Sequence, residues 1–476
     1  MRAPPTTVEI FEELALREPR ESAFEEEGEA LDRGQLYAMI VQCALLLQRL
    51  GVQPGDRVGV SGPGFGVQFV LLLAAEGLGA VTASFQAEDD PDRDFLFARV
   101  QWVFSARPQQ VPAGVRFQRI DEDFVRALGQ PLGPQRPAWW APPLDAPQRI
   151  TRTSGSSGRS KFMQLSRQTQ EIWVTGGAEK ASYRPGARLL LLAPLVMNST
   201  FSRASSCLRR GGVVLAGAHG SRLPQLRPTH VWGLPLHLDA LLREAPADYV
   251  APEAVQVATV GGVMPPDLRA NAKRIFHGWI KNRYGSNEAG GICEDLDANG
   301  TGVLGPGVEL RILGPQGEEL PAGQAGIVAV RTAAMADGYI DRPEETAAAF
   351  RDGWFVSGDY GALVGYRKLR LLGRHDDLVN IGGLKYPAAD IEAGLRVQPA
   401  IAGCAVQAVE LEQGDVSLGI AVVCAPAATR DDAIAQVRAA LETWGAVKAR
   451  VVFVEALPTL AGGKVDRQAL LRLLRG

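Results

Sequence analysis

From Gln35 onward the chain alternates helix-period segments with short apolar runs, a pattern that restricts it to a largely parallel sheet covered by helices. Helical patterning over Gln35 to Leu50 precedes the strand-like Arg57 to Ser61 and a helix near Gly66 to Glu76. The alternation resumes with a strand at Leu189 to Ala193, a helix around Ser202 to Arg210 and strands at Val213 to Ala216 and Val255 to Val260, before a helix from Pro266. The most apolar stretch, Phe65 to Ala83, is interrupted by Gln68 and Glu76 and reads as a buried helix followed by a strand, not as a membrane span. Pro and Gly crowd the segment from Gln130 to Pro147, which predicts a surface connection between sub-lobes. Beyond Leu372 the pattern changes to a helix at Ala388 to Arg396, strands at Gly403 to Val409 and Ser417 to Cys424, a helix at Asp431 to Trp444 and a strand at Arg450 to Val454. That tail is long enough for a small α+β domain of its own. At 476 residues, the whole chain calls for two or three packed units.

Composition narrows the partners. The formal net charge is -3, with 50 basic and 53 acidic residues spread throughout, so no face is built for nucleic acid or acidic lipid. Five scattered cysteines without CxxC spacing predict reduced thiols in a cytoplasmic protein, and the five histidines form no metal-ligand pair. Glu9, Glu12 and Glu13 stand where a signal peptide would be basic and then apolar. Monomer and homodimer both remain open.

Thr153-Ser154-Gly155-Ser156-Ser157-Gly158-Arg159-Ser160-Lys161 places glycines and hydroxyls before a lysine, so its backbone N–H groups can wrap phosphates. A flexible linker has the same composition. The Walker A loop is excluded, because Phe162 follows Lys161 where Ser or Thr is required. In order there follow Tyr284-Gly285-Ser286-Asn287-Glu288, Gly353-Trp354-Phe355-Val356-Ser357-Gly358-Asp359, Gly373-Arg374-His375-Asp376-Asp377 and Gly462-Gly463-Lys464. With these segments in this order, nearly the whole chain resembles the adenylate-forming superfamily of acyl-CoA synthetases, peptide-synthetase adenylation domains and luciferases. The approach Gly338-Tyr339-Ile340 through Glu345-Thr346 resembles that family too.

The resemblance implies ATP, Mg²⁺, a small carboxylic acid and a thiol acceptor, either coenzyme A or the phosphopantetheine of a separate carrier protein. It also implies a large N-terminal domain over 1–373, a hinge at 374–376 centred on Asp376, and a small mobile domain over 377–476. Asp359 is then the ribose ligand, a carboxylate suited to accept from two hydroxyls. Glu288 is the Mg²⁺ ligand, since that ion takes few carboxylates beside phosphate oxygens. Tyr284 faces adenine, with Gly285, Ser286 and Asn287 beside it, while Gly261, Gly262 and Val263 let backbone approach the base and the acid. Arg374 forks onto ribose or phosphate. Lys464 enters from the small domain to stabilise the transition state of adenylation. Domain rotation then withdraws Lys464 and presents Gly383 and Lys385 for thiol transfer.

Two departures bear on the acid. Ser160-Lys161-Phe162 replaces the usual Pro-Lys-Gly, as in the stand-alone aryl-acid adenylating enzymes. Asn198, in Pro194-Leu195-Val196-Met197-Asn198-Ser199, stands where amino-acid-activating relatives carry an aspartate, so an α-ammonium has no counter-charge. In the aryl-acid enzymes an asparagine there bonds the carboxylate and an ortho-hydroxyl. The plainer alternative is that Asn198 caps the following helix. Met197 and Ser199 depart from the aryl-acid pattern, and Arg203 either faces the pocket to bind a second acidic group or lies exposed on its helix. An amide-forming ligase, a fatty acyl-CoA ligase and a catalytically silent nucleotide-binding relative are the competing readings.

Overall fold

A computed structural model describes residues 4–86, 90, 92–153, 160–176, 182–374, 378–381, 384–410, 416–442, 449–459 and 465–475. The chain is α/β and divides into two compact units, one formed by Met1–Glu309 with Val330–Phe355 and the other by Leu310–Ala329 with Val356–Gly476.

The first unit contains two sheets. In one, Arg116–Arg119, Trp102–Ser105, Arg57–Ser61, Val81–Ser84 and Pro147–Thr153 run parallel in that spatial order, with Lys161–Ser166 antiparallel at the edge. In the other, His277–Ser286, Val255–Val260, His230–Gly233, Arg188–Leu191, Val213–Ala216 and Ser22–Glu26 are parallel neighbours. Gly290–Leu296 pairs antiparallel with His277–Ser286 and with Thr301–Leu304. Apart from Gln68 and Glu76 the helix Phe65–Gly77 is apolar, and every residue from Phe69 to Gly77 is buried. It shares one core with Val58 and Phe104 of the first sheet and with Leu189, Val214 and Trp232 of the second. Each large apolar side chain buried this way contributes about 1.5–3 kcal/mol.

Glu76 rides on that buried helix and must be compensated. Arg149 Nη1 lies 3.6 Å from its Oε1, Thr82 Oγ1 donates to it at 2.7 Å, and Gln148 Nε2 donates to Oε2 at 3.2 Å. Arg149 also donates to Thr82 Oγ1, Ser84 Oγ and the Leu195 carbonyl at 3.0, 3.2 and 3.3 Å. Its guanidinium carbon sits 4.0 Å from the centre of the Phe201 ring. Burial pushes the Glu76 carboxyl up and the Arg149 guanidinium down to about 10, and each partner opposes the other's shift.

In the second unit, Ile401–Glu410 and Val416–Cys424 pair antiparallel, and Ala449–Phe453 joins parallel. The helices Ala388–Arg396, Arg430–Glu442 and Arg467–Arg475 accompany this sheet. The unit also contains the pairing of Asp359 with Arg374 in neighbouring antiparallel strands.

The strands Arg57–Ser61, Val213–Ala216 and Val255–Val260 and the helix Ala388–Arg396 match the sequence expectation in both bounds. The Gln130 to Pro147 segment differs. It joins the helix Glu122–Leu128 to the strand Pro147–Thr153 of the same sheet that holds Arg116–Arg119, so it is a link within one sheet and does not bridge sub-lobes. All five cysteines are unpaired. Among the described residues no helix is long and apolar enough to cross a membrane.

Replacing Arg149 by Ala leaves Glu76 buried without its charge partner and is expected to destabilise the protein by about 3–5 kcal/mol. Thermal melting of Arg149→Ala and of Arg149→Ala/Glu76→Gln checks this, with the double variant recovering part of the loss.

Candidate active site

Thr153 and Lys161 are cross-strand partners at the end of the hairpin whose connection carries the glycine- and serine-rich segment. Ser154, Gly155, Ser156, Ser157 and Gly158 lie outside the described residues. Beside the hairpin, the Ser160 backbone N–H donates to both carboxylate oxygens of Asp92 at 3.3 Å, and Arg152 bonds Asp90 at 2.6 Å. Lys161 Nζ pairs with Glu345 Oε2 at 3.0 Å and stands 4.8 Å from the Tyr339 ring centre. Arg342 and Lys161 together hold the Glu345 carboxyl below its usual range.

Glu288 follows the strand that contains Tyr284, Gly285 and Ser286. The strand must turn tightly there, since a Cβ on Gly285 would meet the Gly290 carbonyl oxygen at 2.4 Å. Ser286 Oγ accepts from the Ala289 backbone N–H at 3.1 Å, and Asn287 Nδ2 donates to the Arg152 carbonyl at 2.6 Å. Tyr284 is half-buried. The Glu288 carboxylate is buried, with Oε1 accepting from the Tyr339 hydroxyl at 3.1 Å. Its Oε2 is also buried and has no hydrogen-bond partner among the described residues. A spare hard oxygen of this kind fits a divalent cation. Among the described residues no group of three or more His, Cys, Asp or Glu could hold a metal by itself, so phosphate oxygens would complete the shell.

Asn198 is fully buried, and among the described residues neither its Oδ1 nor its Nδ2 has a partner. The capping alternative is corrected here. Met197, with φ −83° and ψ 119°, occupies the N-cap, and Asn198 is the first helical residue of Asn198–Arg209. Arg203 is likewise not an exposed helix arginine. It is 5% exposed, its guanidinium carbon lies 3.1 Å from the Trp232 ring centre, and Nη1 donates to the Ser199 carbonyl at 3.3 Å. Met197 is half-buried, whereas Gly261, Gly262 and Val263 are exposed after the strand Val255–Val260. Gly261 has φ +85°, and a Cβ there would meet Leu234 at 2.8 Å.

In the second unit Asp359 is buried, and its Oδ1 pairs with Arg374 Nε at 3.0 Å. Its backbone N–H donates to Ser357 Oγ at 3.1 Å, and that hydroxyl donates to the Val328 carbonyl. Asp376, Gly383 and Lys464 lie outside the described residues, and of Lys385 only the backbone, in Leu384–Pro387, is described. Sequence reasoning assigned no role to Tyr339 or Glu345, although the motif containing them was visible.

An α/β fold of two units, with a loop-bearing hairpin ending in lysine, a buried carboxylate opposite it and an Asp–Arg pair further along, defines an adenylate-forming enzyme. The AMP-binding enzyme family model matches residues 11–340, most of the chain, and the chain belongs to that family. It is an ATP-dependent, adenylate-forming ligase of carboxylic acids. A feruloyl-CoA synthase from Amycolatopsis sp. is 28% identical over 482 residues, covering 94% of each chain. A 4-chlorobenzoate–CoA ligase from Arthrobacter sp. is 26% identical over 510 residues, covering 98% of this chain and 95% of the relative. The fold matches that of ATP-bound MatB from Rhodopseudomonas palustris with a TM-score of 0.83 at 23% identity, over 98% of this chain and 99% of that one.

Glu345 already holds the Lys161 ammonium that the sequence motif assigns to phosphate. Glu345→Gln is therefore expected to lower the KM for ATP by roughly 2- to 5-fold, the scale of a half-exposed ion pair, as read by initial rates against ATP.

Proposed function

We propose that the chain activates an aromatic carboxylic acid of the hydroxy- or aminobenzoate class as its acyl-adenylate and passes the acyl group to a thiol. The observation that carries this reading is the Asn198 amide, buried with both polar atoms unpaired among the described residues. An empty buried amide costs about 1–3 kcal/mol, and an acid presenting one acceptor and one neighbouring donor would satisfy both ends. The aryl-acid CoA ligases among the relatives support the same class.

In this reading the acid's carboxylate oxygen attacks the α-phosphorus and pyrophosphate leaves. A thiolate then attacks the acyl carbonyl and AMP leaves. The segment Thr153 to Gly158 and Lys161 bind phosphates, while Asp359 and Arg374 hold ribose. Tyr284 to Asn287 and Gly261 to Val263 frame adenine and the acid. Glu288 would hold Mg²⁺, which would offset phosphate charge. Lys464 serves the first step only. The boundary at 374–376, with Asp376 as hinge, separates domains 1–373 and 377–476, and rotation there brings Gly383 and Lys385 to the thiol of coenzyme A or of a separate carrier protein.

The test is acid-dependent pyrophosphate release trapped with hydroxylamine, across benzoates, cinnamates, fatty acids and amino acids. Turnover confined to aromatic acids is expected, and preference for fatty or amino acids would sink the aromatic assignment. Asn198→Ala should cut kcat/KM for the best acid by about 10- to 100-fold, the equivalent of the lost amide contacts, while leaving the KM for ATP nearly unchanged. Lys464→Ala should slow adenylation by about 10²- to 10³-fold yet spare transfer from supplied acyl-AMP to the thiol. Equal loss of both steps would contradict domain alternation.

A further inference from the structure

Tyr339 touches both charged groups of the phosphate side at once. Its hydroxyl donates to Glu288 Oε1, and its ring lies under the Lys161 ammonium. The backbone around it is anchored to the same two elements. Ala336 N–H donates to the Glu288 carbonyl at 2.8 Å, Ile340 N–H donates to the Phe162 carbonyl at 2.7 Å, and Tyr339 forms an antiparallel bridge with Met163. Phe350 packs edge-on against the ring at 5.5 Å, and Thr346 Oγ1 accepts from the Tyr339 N–H at 2.9 Å. The ring therefore has no room to swing, and the hydroxyl stands at a fixed point beside one carboxylate oxygen.

We propose that Tyr339 is a positioning residue that locks Glu288 by its Oε1, so that Oε2 is presented to the divalent cation carried by the nucleotide, while the ring seats Lys161 beside the phosphates. This inference rests on the reading of the site as an adenylating one. A hydrogen bond to one oxygen stops the carboxylate from turning about its terminal bond, and the other oxygen keeps one direction. Partners of metal ligands commonly set metal affinity by 10- to 100-fold. The ring contributes separately, because the face of an aromatic attracts an ammonium with or without the hydroxyl. Two substitutions therefore divide the residue's two tasks. Tyr339→Phe removes the hydroxyl and keeps the ring, and Tyr339→Leu removes both.

The experiment uses the full chain with α,β-methylene-ATP, which cannot react at the α-phosphorus, and Mn²⁺ as the paramagnetic probe of the cation site, titrated by EPR. Tyr339→Phe is expected to weaken Mn²⁺ binding about 10- to 100-fold. Its affinity for the analogue in EDTA and its melting temperature should stay close to wild type. Tyr339→Leu is expected to weaken the analogue in EDTA as well, because Lys161 loses its seat. Wild-type Mn²⁺ affinity in Tyr339→Phe overturns the inference, as does a parallel loss of analogue affinity in EDTA, which marks a merely structural role. Wild-type protein that binds no analogue at all overturns the adenylating reading, and that failure is visible before any variant is made.

Discussion

The buried ion pair of Arg149 and Glu76 is the interaction on which the rest of the first unit depends. Glu76 is carried into the core by the predominantly apolar helix Phe65–Gly77, where an isolated carboxylate is not tolerated. Arg149 answers it from the strand Pro147–Thr153 of the Thr153–Lys161 hairpin, and the same guanidinium reaches the Leu195 carbonyl and the Phe201 ring. One side chain thus ties the core helix, the strand Pro147–Thr153 and the segment and helix that carry Asn198. Such pairs add little net stability over an apolar replacement, and their value lies in fixing one arrangement. Here that arrangement sets the helix Asn198–Arg209 relative to the hairpin.

The polar atoms left unpaired tell a complementary story. Most buried polar groups in folded proteins are hydrogen-bonded, and the network around Glu76 obeys that rule closely. Among the described residues, Asn198 Oδ1 and Nδ2 and Glu288 Oε2 do not. Both residues are held firmly by backbone, Asn198 by the first turn of its helix and Glu288 by the carbonyl contact with Ala336. A scaffold that keeps such groups in place without partners is pre-organised for ligands that supply them. The acid and the nucleotide's cation are the ligands proposed for these two groups.

Lys161, by contrast, is already partnered by Glu345 and by the Tyr339 ring. In the proposed reading its ammonium exchanges one anion for another when phosphate binds, which limits the gain in affinity from the lysine but keeps it oriented. The second unit follows the same design. Arg374 and Asp359, neighbours across antiparallel strands, orient each other by an ion pair.

Much of the fold was legible in the sequence, because strands such as Arg57–Ser61 and Val255–Val260 are short apolar runs cut by turn residues, and hydrophobic period is a local property. The antiparallel strands around Glu288 were not, since His277–Ser286 mixes charged, aromatic and small residues without a period and is fixed by its partners on both sides. The ordered motifs likewise pointed to adenylation chemistry, because the residue types that hold phosphate, ribose and a divalent cation are few. Whether Asn198 caps its helix or opens into the core depends on the backbone angles of Met197, and the burial of Arg203 depends on Trp232, a residue on another strand. The role of Tyr339 exists only because the chain brings the residues around 162, 288 and 339 together. The sequence by itself therefore determined the elements and the class of chemistry, which follow from local pattern and side-chain type. Tertiary structure alone decided which polar atoms are satisfied and which are left for ligands, because that depends on contacts between residues far apart in the chain.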